Sequence, residues 1–129
     1  MDVSEAIQHA NSILPGHAVA DGKEDPRWQA IITVGEFVES HPEIVWAFVE
    51  RWGKHPNKDL RAAIATCLLE HLLEFHFALV FPLVERLAQT SKRFADTFSI
   101  CGKFGQSETP GNSAKFDRLR RAIRKSKWV

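Results

Sequence analysis

The sequence predicts an all-α domain of six or seven helices. Three observations lead to it. Apolar residues recur at spacings of three and four along most of the chain, which is the period of an amphipathic helix. Residues that cap or open helices precede those runs, as Asp25-Pro26, Asn57 and Ser91 do, each able to satisfy an amide that the first turn leaves unpaired. No period-two apolar run bounded by hairpin turns stands out.

The first helix spans about residues 4–14, with Val3, Ile7, Ala10 and Leu14 as its stripe, and Pro15-Gly16 stops it. Residues 15–24 form a polar loop. Asp25 then caps a second helix, and Pro26 occupies its first turn, where the missing amide costs nothing. Trp28, Ile31, Ile32, Val34, Gly35 and Val38 form its buried side, and it ends near Ser40. His41-Pro42 opens a third helix that packs Ile44, Val45, Phe48, Val49 and Trp52 and ends at Gly53 in a left-handed cap.

The stretch NKDLRAAIATCLLEHLLEFH, residues 57–76, is the centre of the chain. Asn57 caps it, and Asp59 sits at the positive end of the helix dipole. Leu60, Ile64, Cys67, Leu68, His71, Leu72 and Phe75 share one face, which Ala62, Ala63, Ala65 and Leu69 widen. A helix so apolar is expected to be buried between neighbours. After His76, Pro82 leaves two starts open for the next helix, near Phe81 or near Ala78, because proline inside a helix kinks it. Ser91 caps a further helix with Phe94, Phe98 and Ile100 apolar. Residues 102–112 hold three glycines and a proline and read as a loop. Ser113 caps a final helix over about 113–127, with Phe116, Leu119 and Ile123 facing inward.

The whole, residues 1–129, fits one domain by length. At 44% hydrophobic and 26% charged residues, its composition is that of an ordinary globular protein. Two cysteines, Cys67 and Cys101, lie in apolar helical patterns and are expected as free buried thiols. The segment MDVSEAIQHA lacks the basic and apolar regions of a signal peptide. The longest apolar run, residues 75–83, falls short of the roughly 20 residues of a membrane span. A cytoplasmic location and no membrane partner are therefore expected. The net charge is +1, but it is uneven: residues 115–127 carry seven basic groups and one acid, and the rest of the chain carries ten basic and fifteen acidic groups. Such asymmetry can mark an interaction surface.

Two segments align at an offset of 34 residues. Asp25-Pro26-Arg27 matches Asp59-Leu60-Arg61, and Val34, Glu36 and Val38 match Leu68, Glu70 and Leu72. A fainter copy begins at Ser91, with Arg93 and Ala95 in place of Arg61 and Ala63. In each copy the Asp is read as a cap and the Arg as a link to the adjacent copy. The unit, a helix pair of roughly 30–40 residues, has the length of a helical solenoid repeat.

The segments DPRWQAIITVGEFVES and DLRAAIATCLLEHLLE look like second helices of HEAT and armadillo repeats, and the chain resembles that class over about residues 25–105. The resemblance implies a short solenoid of antiparallel helix pairs whose second helices line one face. Bacterial members of this class include binding modules, among them immunity proteins that neutralise secreted toxins. It thus implies a protein partner, a toxin domain, held by Glu36, Glu39, Glu70 and Glu74 with His71 and Trp46. An acidic surface suits a basic nuclease toxin, since complementary charge speeds and orients docking.

No motif points to an enzyme. Glu70, His71, Glu74 and His76 are the densest polar cluster, but His71 and His76 diverge on a helix and no zinc-protease order occurs; His71 is expected as a hydrogen-bonded histidine. His9, His41 and His55 flank turns or caps. No nucleophile elbow is present, and Gly102-Lys103-Phe104-Gly105 is not a phosphate loop. No catalytic residue, metal or cofactor is expected. Trp28 and Trp52 are read as core, and Trp46 as a half-exposed anchor. The terminal helix offers a second reading: Lys115, Arg118, Arg120, Arg121, Arg124, Lys125 and Lys127 could bind nucleic-acid phosphates, or serve as a solubilising cap whose late cations suit the helix dipole.

Overall fold

A computed structural model describes residues 1–16 and 25–126. The loop expected at 15–24 lies outside the described residues from position 17 onward, as does Lys127. The helices are α1 (Val3–Ile13), α2 (Pro26–Gly35), α3 (Pro42–Trp52), α4 (Lys58–Ile64), α5 (Glu70–Thr90), α6 (Lys92–Ile100) and α7 (Pro110–Ser126). A π-helical turn, Ala65–Leu69, joins α4 to α5, so the seven segments form six rods. A 3₁₀ turn spans Gly105–Glu108, and no strand occurs among the described residues.

Caps set the starts. Asp2 and Glu5 form a reciprocal capping box on α1. Asp25 accepts the Arg27 amide, Asn57 that of Leu60 and Ser91 that of Phe94, so three expected caps are present. The fourth is not: α7 starts at Pro110, whose fixed φ suits a first turn, and Ser113 lies inside that turn. The Ser113 hydroxyl instead accepts a bond from Lys103 Nζ at 2.9 Å. Gly53 ends α3 in the right-handed conformation, φ −68°, not the left-handed one. Its smallness is what the fold uses, because the ring of Phe94 lies 3.1 Å from where a Cβ would stand. The second helix stops at Gly35, and residues 36–40 continue as turns that keep Val38 buried.

Packing follows from the continuous rod of α4, the π turn and α5. α2 lies against α4 and the π turn, α3 against α4 and α5, and α6 against all three parts of the rod; α7 closes over α5 and α6, and α1 covers α2. At Gly35 a Cβ would sit 3.2 Å from the Cys67 carbonyl, so a side chain there would push α2 off the π turn. The stretch Lys58–Thr90 is long and apolar enough to cross a membrane by length and composition, yet 44% of its most apolar window is buried inside the fold.

The π turn corrects the expected face of the central helix. An extra residue in one turn rotates everything after it. Leu60, Ile64, Leu68, Leu69 and Leu72 are buried as expected, and Leu73 joins them. Cys67 and His71 become half-buried, and Phe75 is 38% exposed. α5 then leaves helical geometry at His76, φ −139° and ψ 48°, and resumes at Phe77, with Pro82 inside the resumed helix. Ile32 and Ile44, expected inside, are exposed, and Trp28 is half-buried.

The two expected copies differ at their caps. Asp25 caps α2, but Asp59 lies within the first turn of α4, which Asn57 caps. The arginines do match: Arg27 and Arg61 are both buried. Arg27 pairs with its own Asp25 at 3.1 Å, whereas Arg61 reaches Asp96 of α6 at 3.0 Å and the carbonyls of His55 and Pro56. Arg93 is exposed.

Candidate functional site

The kink at His76 is the most elaborated surface of the molecule. A break in a helix strands an amide and a carbonyl, which need partners elsewhere. Gln106 supplies both. Its Oε1 accepts the Phe77 amide at 2.9 Å, and its Nε2 donates to the Phe75 carbonyl at 2.8 Å. The His76 ring reaches the Glu39 carbonyl through Nε2 at 2.9 Å, tying the kink to the turn after α2.

The segment expected as a plain loop at 102–112 wraps this kink. The Gly102 amide donates to Glu70 Oε2 at 2.8 Å. Phe104 stacks on the His71 ring, centroids 6.3 Å apart. Gly105 takes φ +52°, open to glycine without strain, and a Cβ there would lie 2.7 Å from Glu74 Cγ. His71 Nδ1 and Glu74 Oε1 are 2.8 Å apart. Around this clasp stand three exposed apolar side chains: Phe75, Leu79 at 44% and Phe104 at 44%.

The residues expected to hold a partner are distributed as follows. Glu36 and Glu39 are exposed after α2. Glu74 and His71 are half-buried and bonded to each other, so His71 is the hydrogen-bonded histidine expected of it. Glu70 is turned inward onto the Gly102 amide, its side chain 12% exposed. Trp46 is a correction: it is 8% exposed and packs edge-on against Phe94, 5.8 Å between centroids. Burial on that scale leaves a tryptophan little surface to serve as a half-exposed anchor. Phe75, Leu79, Phe104 and Gln106 were missed. The kink that exposes the first two leaves no local mark beyond Pro82, and Gln106 acts from 29 residues away.

His71 is in contact with Glu70, Glu74 and Phe104, an arrangement that orients its ring. Among the described residues, no three His, Cys, Asp or Glu side chains gather as a metal site would need. Burial holds the Cys101 thiol well above its usual value, with the Glu70 charge adding to the effect, and burial raises that of the half-buried Cys67 as well. Both are free thiols.

On α7, Lys115, Arg118, Arg121, Arg124 and Lys125 are all exposed. Arg120, expected among the phosphate-binding cations, is a correction: it is half-buried, bonds the Cys101 carbonyl and lies over the Phe116 ring. Lys103 pairs with Asp117 at 2.9 Å, which holds the Asp117 carboxyl below its usual range. Compared with protein-family models, curated proteins and solved structures, the chain matches none.

Proposed function

We propose that this chain is a protein-binding module of HEAT-like helix pairs, most concretely an antitoxin-like immunity protein that binds a basic toxin domain such as a nuclease. The stacking part of the reading is supported by α2 lying on the α4 rod and Arg61 linking that rod to α6. The binding part rests on one observation. Phe75, Leu79 and Phe104 are exposed around a backbone kink that Gln106 and His76 hold in place, with Glu39 joined to it through its carbonyl and Glu74 inside it. Large apolar anchors on a rigid support are what interface hot spots require, and acidic neighbours favour a basic partner. Glu36, Glu39 and Glu74 remain the proposed acidic rim, with His71 beneath Phe104. Trp46 and Glu70 act as supports from within.

The test is co-purification with each product of the genes beside its own, followed by the same capture with Leu79→Ser/Phe104→Ser. A stoichiometric complex with one neighbour, lost in the double variant, is the expected outcome. A complex that survives the double variant unchanged, or none with any neighbour, overturns the reading.

A second reading has its own observation, the five exposed cations of α7. If they bind nucleic acid, affinity falls steeply with salt. Deleting α7 cannot test this, since Phe116, Leu119 and Ile123 belong to the core. Arg121→Glu/Arg124→Glu leaves the core intact, and binding that these changes do not weaken removes this reading.

A further inference from the structure

A second surface feature lies away from the kink. It is a groove of about 530 Å³ where the end of α5, the start of α6 and the end of α7 meet. Its apolar walls are Ala88, Ala95, Leu119, Ala122 and Ile123. Three of these five are alanines, which let another backbone approach closely. The rim is basic. Lys92 and Arg93 stand on one side, both exposed. On α7, outside the groove wall itself, Arg118 and Lys125 flank Ala122 at i−4 and i+3, and both are exposed. The Arg61–Asp96 pair closes one end, its two charges set against each other. A second hollow of about 270 Å³, lined by Trp46, Glu50, Leu83, Arg86 and Leu87, shares Thr90 with the first, so the depression continues back along α5 toward α3, where Glu50 adds one acid.

We propose that this groove binds an acidic amphipathic helix of a partner protein. The occupant follows from charge and shape together. Apolar walls with small residues take the i, i+3, i+4 side chains of a helix, while the cations on both rims select carboxylates on the helix flanks. A nucleic-acid backbone would use the rim and leave the apolar floor uncovered. The groove is separate from the kink face and carries the opposite charge, so this proposal stands independently of the toxin-binding reading.

The experiment uses fluorescence anisotropy on the intact protein. The probes are a labelled helical peptide with leucines on one side and glutamates on the other, its scrambled isomer, and a short DNA duplex. The amphipathic peptide is expected to bind and the scrambled one to bind far more weakly. Lys92→Glu/Arg93→Glu, and separately Ala122→Phe, are each expected to weaken binding roughly tenfold or more, the effect of losing a hot-spot contact. Ala122 is exposed, so its replacement fills the groove without entering the core. Ala114→Phe, two turns before Ala122 on α7 and outside the groove wall, is expected to change nothing. Equal binding of the scrambled peptide, indifference to Ala122→Phe in a folded protein, or binding of the duplex without the peptide overturns the proposal.

Discussion

The side chain of Gln106 replaces a missing turn of helix at Phe77. Its Oε1 takes the Phe77 amide and its Nε2 the Phe75 carbonyl, so one side chain completes the backbone on both sides of His76. Gln106→Ala is expected to lower unfolding free energy by about 1–2 kcal/mol, because a stranded amide and carbonyl lose their partners. Gln106→Glu keeps an acceptor for Phe77 but sets a carboxylate oxygen against the Phe75 carbonyl, so its loss should be at least as large. Urea titration of both variants checks this order; equal stability of all three proteins would mean that water substitutes freely for the clasp.

Arg61 and Asp96 join α4 to α6 across 35 residues. The guanidinium is buried, and its Nε has no hydrogen-bond partner among the described residues. Asp96→Ala leaves a buried charge with two backbone carbonyls as its remaining acceptors among those identified. Breaking a buried pair costs roughly 3–5 kcal/mol; with the Asp96 side chain 29% exposed, about 2 kcal/mol is expected here. Arg61→Lys should recover little, since an ammonium cannot reach three acceptors in one plane. Thermal melts of the two variants give the comparison.

His55 predicts a loss of stability on mild acidification. Burial, and then the charges of Arg27, Arg61 and Arg93, hold its pKa below the ordinary 6.5. Its Nδ1 accepts the Asn57 amide at 3.0 Å, which needs the neutral ring. The unfolded chain therefore takes up the proton first as pH falls. Above 6.5 the group makes no pH-dependent contribution; below it stability declines until pH passes the folded value. Comparing urea midpoints at pH 7.5 and 5.5 for the wild type and His55→Gln should show a steeper fall in the wild type. Asp25 acts lower on the scale. Its bond to Arg27 depresses its pKa below 3.8, so its contribution is present above that value and disappears as pH falls beneath it.

Cys101 should be chemically silent in the folded protein. It is fully enclosed, within 3.6 Å of the Ala65 carbonyl in the π turn, and burial favours its protonated form. Thiolate is the reactive species. Labelling by a disulfide reagent at pH 8 should be slow at Cys101, faster at half-buried Cys67, and rapid at both in denaturant. Fast native labelling of Cys101 would show that the π turn opens readily.

The sequence by itself determined the helices. Spacing at three and four, and the caps at Asp25, Asn57 and Ser91, act within a turn or two of the chain, so local chemistry suffices. The inward stripe of α7, Phe116, Leu119 and Ile123, is legible for the same reason. Of the residues that the resemblance to helical repeats implies, Glu39, His71 and Glu74 touch the kink or its clasp, Glu36 is exposed after α2, and Glu70 and Trp46 are turned inward. Only the tertiary structure decided which faces point outward. The π turn rotates the central helix through its contacts with α2 and α6, and no periodicity marks an inserted residue. The kink at His76 exists because Gln106, far along the chain, satisfies the groups it strands. Trp46 is buried because Phe94 arrives from α6 to cover it. Each of these depends on a partner distant in sequence, and a pattern read along one segment carries no information about what will pack against it.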